Sequence, residues 1–214
     1  MANRWIVLAL VFLTRTSMGF QFQSVASVAP LMIADLALSY AQLGTLIGLY
    51  MLPGAFFALP GGVIGQRFGE RRVVVAGLVL MIAGGALTAG ATGFATAVAG
   101  RLLGGIGAVV MNILLAKIVS DWFAGRELST AMAIMLTSWP VGLGLAAVTL
   151  GGLAAGTSWR TAVLATAAAA KPSAPAVSAP PAIIKASPPT TTRRSPKRWP
   201  MTPPGSAKKA PGST

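Results

Sequence analysis

The stretch Gly62–Arg72 reads GVIGQRFGERR and separates two long apolar segments of the chain. It concentrates three arginines and three glycines in eleven residues, whereas the whole sequence is 54% hydrophobic and only 10% charged. Glycine permits a tight chain reversal, and arginine stays with water and anionic lipid headgroups. The stretch is therefore typical of a short cytoplasmic loop between two membrane-spanning helices.

The segments on both sides of this loop are long enough to cross a bilayer. A spanning helix needs about 20 apolar residues, and five segments meet that length: about 5–29, 41–64, 73–90, 94–119 and 130–153. A further candidate over 159–170 is too short and is predicted to be an incomplete sixth helix. We expect an all-α membrane protein whose residues 1–170 form a transmembrane half-bundle in the lipid bilayer.

The first apolar segment also resembles a signal peptide, because Arg4 precedes it and small residues at 26–29 resemble a cleavage site. Pro30 would follow the cut directly, which is an unfavourable position for the peptidase. We interpret the segment as a retained helix.

The basic residues predict the orientation. A cytoplasmic N-terminus places Arg4, Arg67, Arg71, Arg72, Lys117 and Arg126 inside and only Arg160 outside. This asymmetry agrees with the positive-inside rule. We therefore expect a multi-pass protein of the cell (inner) membrane with its N-terminus in the cytoplasm.

The chain changes character at Lys171. Residues 171–214 contain eleven of the fifteen prolines, eight of the seventeen basic residues and none of the four acidic ones. Such a composition predicts a disordered tail. The abrupt loss of hydrophobicity also suggests a tail translated out of frame, which the other reading frames of the coding DNA would test.

The composition excludes most enzyme chemistry. The chain has no cysteine and no histidine, and its four carboxylates are at loops or helix ends on both sides of the membrane. We expect no enzyme activity, no metal and no cofactor. Two other classes of protein are alternatives: a membrane scaffold with a basic, lipid-binding tail, and a nucleic-acid-binding protein. The second is disfavoured, because the tail has only Trp199 as an aromatic residue and no binding motif.

The arginine-rich loop resembles the conserved loop between the second and third helices of the major facilitator superfamily. Five positions match that motif, and two depart from it, since Gln66 replaces the usual aspartate and Glu70 replaces a basic residue. The matching residues are Gly62, Arg67, Gly69, Arg71 and Arg72. The resemblance implies a role for this loop in helix movement.

A second resemblance lies in the fourth apolar segment, where RLLGGIGA over 101–108 is similar to the superfamily's fourth-helix motif. Arg101 is expected to face the bundle interior or a watery cavity, with snorkelling at the outer interface as the alternative. Gly105 and Gly107 have the plainer role of close helix packing.

Two further segments resemble one subgroup of the major facilitator superfamily. SDWFAGRE over 120–127, which includes Asp121, resembles the segment before the fifth helix in small-anion transporters, and SWPVGLG over 138–144 places Pro140 inside that helix. Pro140 would permit a bend, and Trp122 and Phe123 would otherwise be interfacial anchors. The chain is most similar to the cyanate and nitrate or nitrite group.

The resemblance implies twelve helices in two halves with the substrate at the midplane between them. A small anion would then meet Arg15, midway along the first helix, with structural pairing or snorkelling as its alternative role. Hydrogen-bonding candidates in the same cavity are Gln21, Gln23, Tyr50 and Asn112. This chain supplies one half, so we expect it to be inactive by itself, and pairing with a separate second half stays open.

Overall fold

A computed structural model describes residues 4–57, 67 and 70–169 of the chain. Within those residues the structure is helical and contains no strand. The helices are α1 (Arg4–Ser27), α2 (Ala29–Leu36), α3 (Tyr40–Leu49), α4 (Glu70–Ala89), α5 (Phe94–Trp122), α6 (Arg126–Gly156) and α7 (Trp159–Ala169). The expectation of an all-α membrane protein is confirmed.

Four helices, α1, α4, α5 and α6, are each long and apolar enough to cross a membrane. A fifth span is formed if α2 is counted together with Tyr40–Phe57, and these two parts are bent by 117° relative to each other. The last predicted segment, over 159–170, corresponds to the short helix α7. At 11 residues, α7 is well under the length of a spanning helix.

The connection from α1 to α3 is more structured than the simple loop expected from the sequence. Pro30 lies in the first turn of α2, where its missing N–H costs no helical hydrogen bond. Ala37 ends α2 in the left-handed conformation, with φ of 49°. Ser39 then caps α3, since its Oγ accepts from the Gln42 N–H while the Gln42 side chain accepts from the Ser39 N–H. These local signals fix the sharp reversal between α2 and α3.

Glycines allow the helices to approach closely in two pairs. In the α1–α6 pair, a Cβ on Gly142 would lie 2.2 Å from the Thr16 carbonyl oxygen. In the α4–α5 pair, a Cβ on Gly84 would lie 2.3 Å from the Gly104 nitrogen. The helices can approach this closely only because glycine has no side chain at these positions. Such close packing at small residues stabilises helix pairs in membranes, where no hydrophobic effect drives association.

The buried apolar residues form two clusters along the bundle. One contains Met18, Met81 and Met111, and the other contains Met32, Leu46 and Leu150. Ion pairs lie at both ends of the bundle. The Nη1 and Nη2 atoms of Arg4 donate to the carboxylate oxygens of Glu127 at 2.6 and 3.1 Å. We call this end of the bundle the Arg4 end.

The opposite end, which we call the Asp35 end, ties α2, α4 and α7 together. The Asp35 carboxylate accepts from Trp159 Nε1 at 2.9 Å and from Arg160 Nη2 at 2.8 Å. Arg160 also donates to the carbonyl oxygens of Ala89 and Ala91. The α7 helix is therefore anchored to the bundle at its first turn, where Arg160 is neutralised.

Candidate functional site

Arg15 is the twelfth of the 24 residues of α1, far from either end of the helix. Only 9% of its surface is exposed. Its Nη1 donates to Oδ1 of Asn112 on α5, and its guanidinium lies 5.9 Å from the centre of the Trp139 ring on α6. Its Nε is buried without a hydrogen-bond partner. Arg15 on α1 thus contacts α5 and α6, and among the described residues it has no carboxylate partner and a buried N–H that is not used.

Asn112 opens this cluster to the surroundings. Asn112 is far from both ends of α5, and its side chain is exposed. Trp139, on the other side of Arg15, is half-buried and packs against Phe22, with ring centroids 5.6 Å apart. Arg15 therefore sits at the edge of an open surface, with an amide and an aromatic ring beside it. A guanidinium in that setting can bind an anion by charge-assisted hydrogen bonds.

Arg101 has a different environment, because it is enclosed in the bundle with 3% of its surface exposed. Its Nε donates to the Leu46 carbonyl oxygen and its Nη2 to the Phe22 carbonyl oxygen, both at 3.1 Å. Its guanidinium also lies 4.4 Å from the centre of the Tyr50 ring. The structure thus places Arg101 in the bundle interior, where carbonyl oxygens and a cation–π contact hold it.

Gln21 and Tyr50 lie beside Arg101 rather than beside Arg15. Both are buried, and both line a small cavity that also includes Arg101. Gln21 Nε2 donates to the Met81 carbonyl oxygen at 2.7 Å, while Gln21 Oε1 and the Tyr50 hydroxyl have no hydrogen-bond partner. The structure therefore separates two candidates that the sequence analysis had grouped with Arg15.

The helical repeat explains this separation. Six residues along an α-helix correspond to a rotation of about 600°, which leaves Gln21 about 120° around the α1 axis from Arg15. Gln23 is half-buried, and the structure gives it no hydrogen bond to Arg15. Of the four hydrogen-bonding candidates, only Asn112 contacts Arg15.

The glycines of the fourth-helix motif serve helix packing. A Cβ on Gly105 would lie 2.4 Å from the Tyr50 carbonyl oxygen, and one on Gly107 would lie 2.5 Å from the Gly77 carbonyl oxygen. Each therefore lets α5 touch a neighbouring backbone. This geometry supports the packing role for both residues.

The other motif residues lie at the periphery. Asp121 accepts from Lys117 Nζ at 2.5 Å on the surface of α5. Phe123 is not exposed as an interfacial anchor would be, because 2% of its surface is accessible and it packs edge-on against Trp5. Pro140 is exposed within α6, which continues as one helix from Arg126 to Gly156.

The arginine-rich loop is described only in part. Arg67 and Arg72 have exposed side chains, as expected for residues in contact with water and headgroups. Gly62, Gln66 and Gly69 lie outside the described residues, as does the predicted disordered tail. The side chain of Arg71 is not described either.

Two aromatic residues next to the arginines were missed in the sequence analysis. Phe22 packs against both Tyr50 and Trp139, so it lies between the surroundings of Arg101 and those of Arg15. Trp139 directly precedes Pro140 in the segment SWPVGLG. An aromatic ring inside an apolar helix gives no signal of its contact with a distant cation. Among the described residues, no group of histidine, cysteine or carboxylate side chains is arranged to hold a metal ion.

Comparison with known proteins gives the class of this helical bundle. Residues 11–202 match the family of the Major Facilitator Superfamily. The chain is 30% identical over 161 residues to the 3-(3-hydroxy-phenyl)propionate transporter of Escherichia coli (strain K12), an alignment that covers 73% of this chain and 38% of that protein. The chain belongs to the Major Facilitator Superfamily and is a membrane-embedded helical bundle of that family.

Two further proteins support the assignment. The hexuronate transporter of Bacillus subtilis (strain 168) is 24% identical over 154 residues, which cover 72% of this chain and 36% of that protein. The inward-open xylose transporter XylE from E. coli has the same fold, with a TM-score of 0.72 at 14% identity over 82% of this chain and 47% of that one. The chain thus spans well under half the length of the curated relatives it matches.

Proposed function

We propose that this chain forms the N-terminal half of a transporter that moves a small anion across the cell (inner) membrane by alternating access. The observation that carries the proposal is Arg15, a cation in the middle of α1 that has no carboxylate partner in the described part of the chain and has an open surface beside it. An unpaired charge at that depth is costly unless it faces water or a ligand of opposite charge. Transport rather than catalysis is the function that such a site supports.

The relatives extend the class of anion beyond cyanate and nitrate, the substrates suggested by the segment around Asp121. The two curated relatives are named for a hexuronate and for a phenylpropionate. Both ligands carry a carboxylate, which forms paired hydrogen bonds with a guanidinium. We therefore propose a small carboxylate or an inorganic anion of similar charge as the substrate, with Arg15 and Asn112 as its first contacts.

The full transport cycle requires a second six-helix half, because alternating access moves one half against the other around the site. We propose that residues 1–170 act as a transmembrane half-bundle, that residues 171–214 form a separate disordered tail, and that the chain alone does not transport. The out-of-frame origin of the tail stays a prediction that reading the other frames would test. The alternative function is a half-transporter subunit or a scaffold with a lipid-binding tail.

A binding experiment tests the anion site without requiring transport. The purified chain would be titrated with benzoate, galacturonate, nitrate and cyanate, with uncharged xylose as a control, while thermal unfolding is followed. An anion that binds the folded state raises the Tm as its concentration passes the Kd. We expect at least one anion to stabilise the chain and Arg15→Gln to abolish the shift.

Arg72→Gln provides the matched control, since Arg72 is exposed and lies in the first turn of α4, whereas Arg15 lies in the middle of α1. Equal loss of the shift in both variants would show a nonspecific charge effect and would contradict the proposal. Uptake would be measured in a chimera that joins this half-bundle to the second half of the E. coli relative. Uptake by the chain alone would overturn the requirement for a second half.

We propose from the distribution of basic residues that the N-terminus lies in the cytoplasm. Exposed Arg67, Arg72 and Arg126 lie at the Arg4 end, whereas the only described cation at the other end, Arg160, is paired with Asp35. The chain has no cysteine, so single cysteines can be introduced at Arg126 and at Tyr40. In intact cells, an impermeant maleimide should label Tyr40→Cys and spare Arg126→Cys. The reverse pattern would place the N-terminus outside.

A further inference from the structure

The small cavity beside Arg101 combines available space with unmet hydrogen bonds. It offers about 10 Å³ to the centre of a water molecule, which is close to the room that one water requires. Two of its lining residues, Gln21 and Tyr50, each have a buried polar atom with no hydrogen-bond partner. The side chains of both are 97% or more buried, and leaving such groups unpaired is costly.

The orientation of the Gln21 amide is fixed by its other hydrogen bond. The Met81 carbonyl oxygen can only accept, so the amide nitrogen must face it. The amide oxygen is therefore the atom left over, and it needs a donor. The Tyr50 hydroxyl can donate or accept, and it also lacks a partner.

The other hydroxyls of the cavity already have their hydrogens engaged. Ser24 Oγ donates to the Gln21 carbonyl oxygen at 2.7 Å, and Thr88 Oγ1 donates to the Gly84 carbonyl oxygen at 2.8 Å. Their oxygens remain able to accept. The cavity thus presents two groups able to donate, the Tyr50 hydroxyl and the Arg101 guanidinium, and several acceptors.

We propose that this cavity is a binding site for one ordered water molecule that bridges Gln21 Oε1 and the Tyr50 hydroxyl. The water accepts from the Tyr50 hydroxyl, donates to Gln21 Oε1 and donates its second hydrogen to Ser24 Oγ or Thr88 Oγ1. Three hydrogen bonds are the usual number for a buried water. The bridge joins α1 to Tyr50, the residue directly after α3, and holds the Tyr50 ring against the Arg101 guanidinium.

The charges around the cavity favour a neutral occupant. Arg101 lines the cavity, and none of the described residues that line it is a carboxylate, so a metal cation would be repelled. A chloride ion is larger than water and would face the acceptor oxygens of Gln21, Ser24 and Thr88. The proposal does not depend on the anion site, because Arg15 does not line the cavity.

The direction in which one substitution changes the Tm distinguishes a hydrated cavity from a dry one. Tyr50→Phe removes only the hydroxyl. If a water is bound, the variant loses a hydrogen bond and the Tm of the full chain in detergent should fall by about 3 °C. If the cavity is dry, removal of an unpaired buried hydroxyl should raise the Tm. Tyr40→Phe, at a side chain that is 84% exposed, is the control and should leave the Tm unchanged.

Two further measurements complete the test. A structure at a resolution that shows water should contain density within hydrogen-bond distance of both Gln21 Oε1 and the Tyr50 hydroxyl. The Tm should not change when sodium is replaced by potassium or choline, or, in Arg15→Gln, which lacks the proposed anion contact, when chloride is replaced by gluconate. Absent density, a higher Tm for Tyr50→Phe, or dependence of the Tm on one of these ions would overturn the proposal.

Discussion

The two arginines buried in this bundle, Arg101 and Arg15, share a residue type but differ in what surrounds them. Arg101 donates to two carbonyl oxygens on two other helices and lies over the Tyr50 ring. Arg15 has one amide partner, which is itself exposed, and a buried Nε without a partner. The guanidinium of Arg101 is enclosed and held at two of its nitrogens, whereas that of Arg15 is held at one nitrogen and lies beside an open surface.

This contrast shows that burial of a charge in a membrane helix does not by itself indicate function. The informative quantity is how many of its donors the protein already uses. An enclosed guanidinium that donates to two neighbouring helices, as Arg101 does, stabilises the contact of its helix with those helices. A guanidinium with an unused donor beside an open surface is a candidate for ligand binding.

The largest effect is expected at Arg101. Arg101→Ala removes both carbonyl contacts and leaves a void at the meeting point of α1, α3 and α5, so it should reduce the free energy of unfolding by about 3 kcal/mol. Thermal unfolding in detergent would measure the loss as a lower Tm. Arg101→Met retains most of the volume and should lose less. A loss below about 1 kcal/mol for Arg101→Ala would show that Arg101 is not a structural residue.

An intermediate effect is expected at the crossing of α1 and α6 beside Arg15. A Cβ in Gly142→Ala would lie 2.2 Å from the Thr16 carbonyl oxygen, so the two backbones must separate. We expect a loss of about 2 kcal/mol in stability, together with a weaker anion-induced Tm shift, because Trp139 moves away from Arg15.

Gly144→Ala is the matched control for that crossing. No atom lies within 4 Å of its added Cβ, and alanine is the better helix former. Gly144→Ala should therefore equal or exceed the unmodified chain in stability. If Gly142→Ala and Gly144→Ala have the same Tm, the close approach of α1 and α6 is not required for stability.

The sequence was sufficient to predict the spans, because length and hydrophobicity alone decide whether a segment can cross a bilayer. It also singled out Arg15, since a cation in the middle of an apolar helix is conspicuous. It named Asn112, which lies 97 residues from Arg15, among four hydrogen-bonding candidates, but it did not distinguish this partner from the other three. Nor did it separate Gln21 and Tyr50 from that site. Membrane helices are apolar on all sides, so no amphipathic stripe indicates which face meets which neighbour.

The smallest effect on stability is expected at Arg15, although its effect on binding should be the largest. Arg15→Gln leaves Asn112 without a partner, but that side chain is exposed and water can satisfy it. The change also removes a buried Nε that has no partner. These effects oppose each other, so the free energy of unfolding should change by less than about 1 kcal/mol.

Arg15→Lys sharpens the comparison further, because it keeps the charge but loses the paired hydrogen bonds of a guanidinium. With a carboxylate ligand, the concentration that gives half of the Tm shift should rise about tenfold, which corresponds to the loss of one good hydrogen bond. With nitrate or cyanate the increase should be smaller, since charge contributes more of the binding. Equal stability loss in Arg15→Gln and Arg101→Ala, with no change in anion response, would show that both arginines are structural.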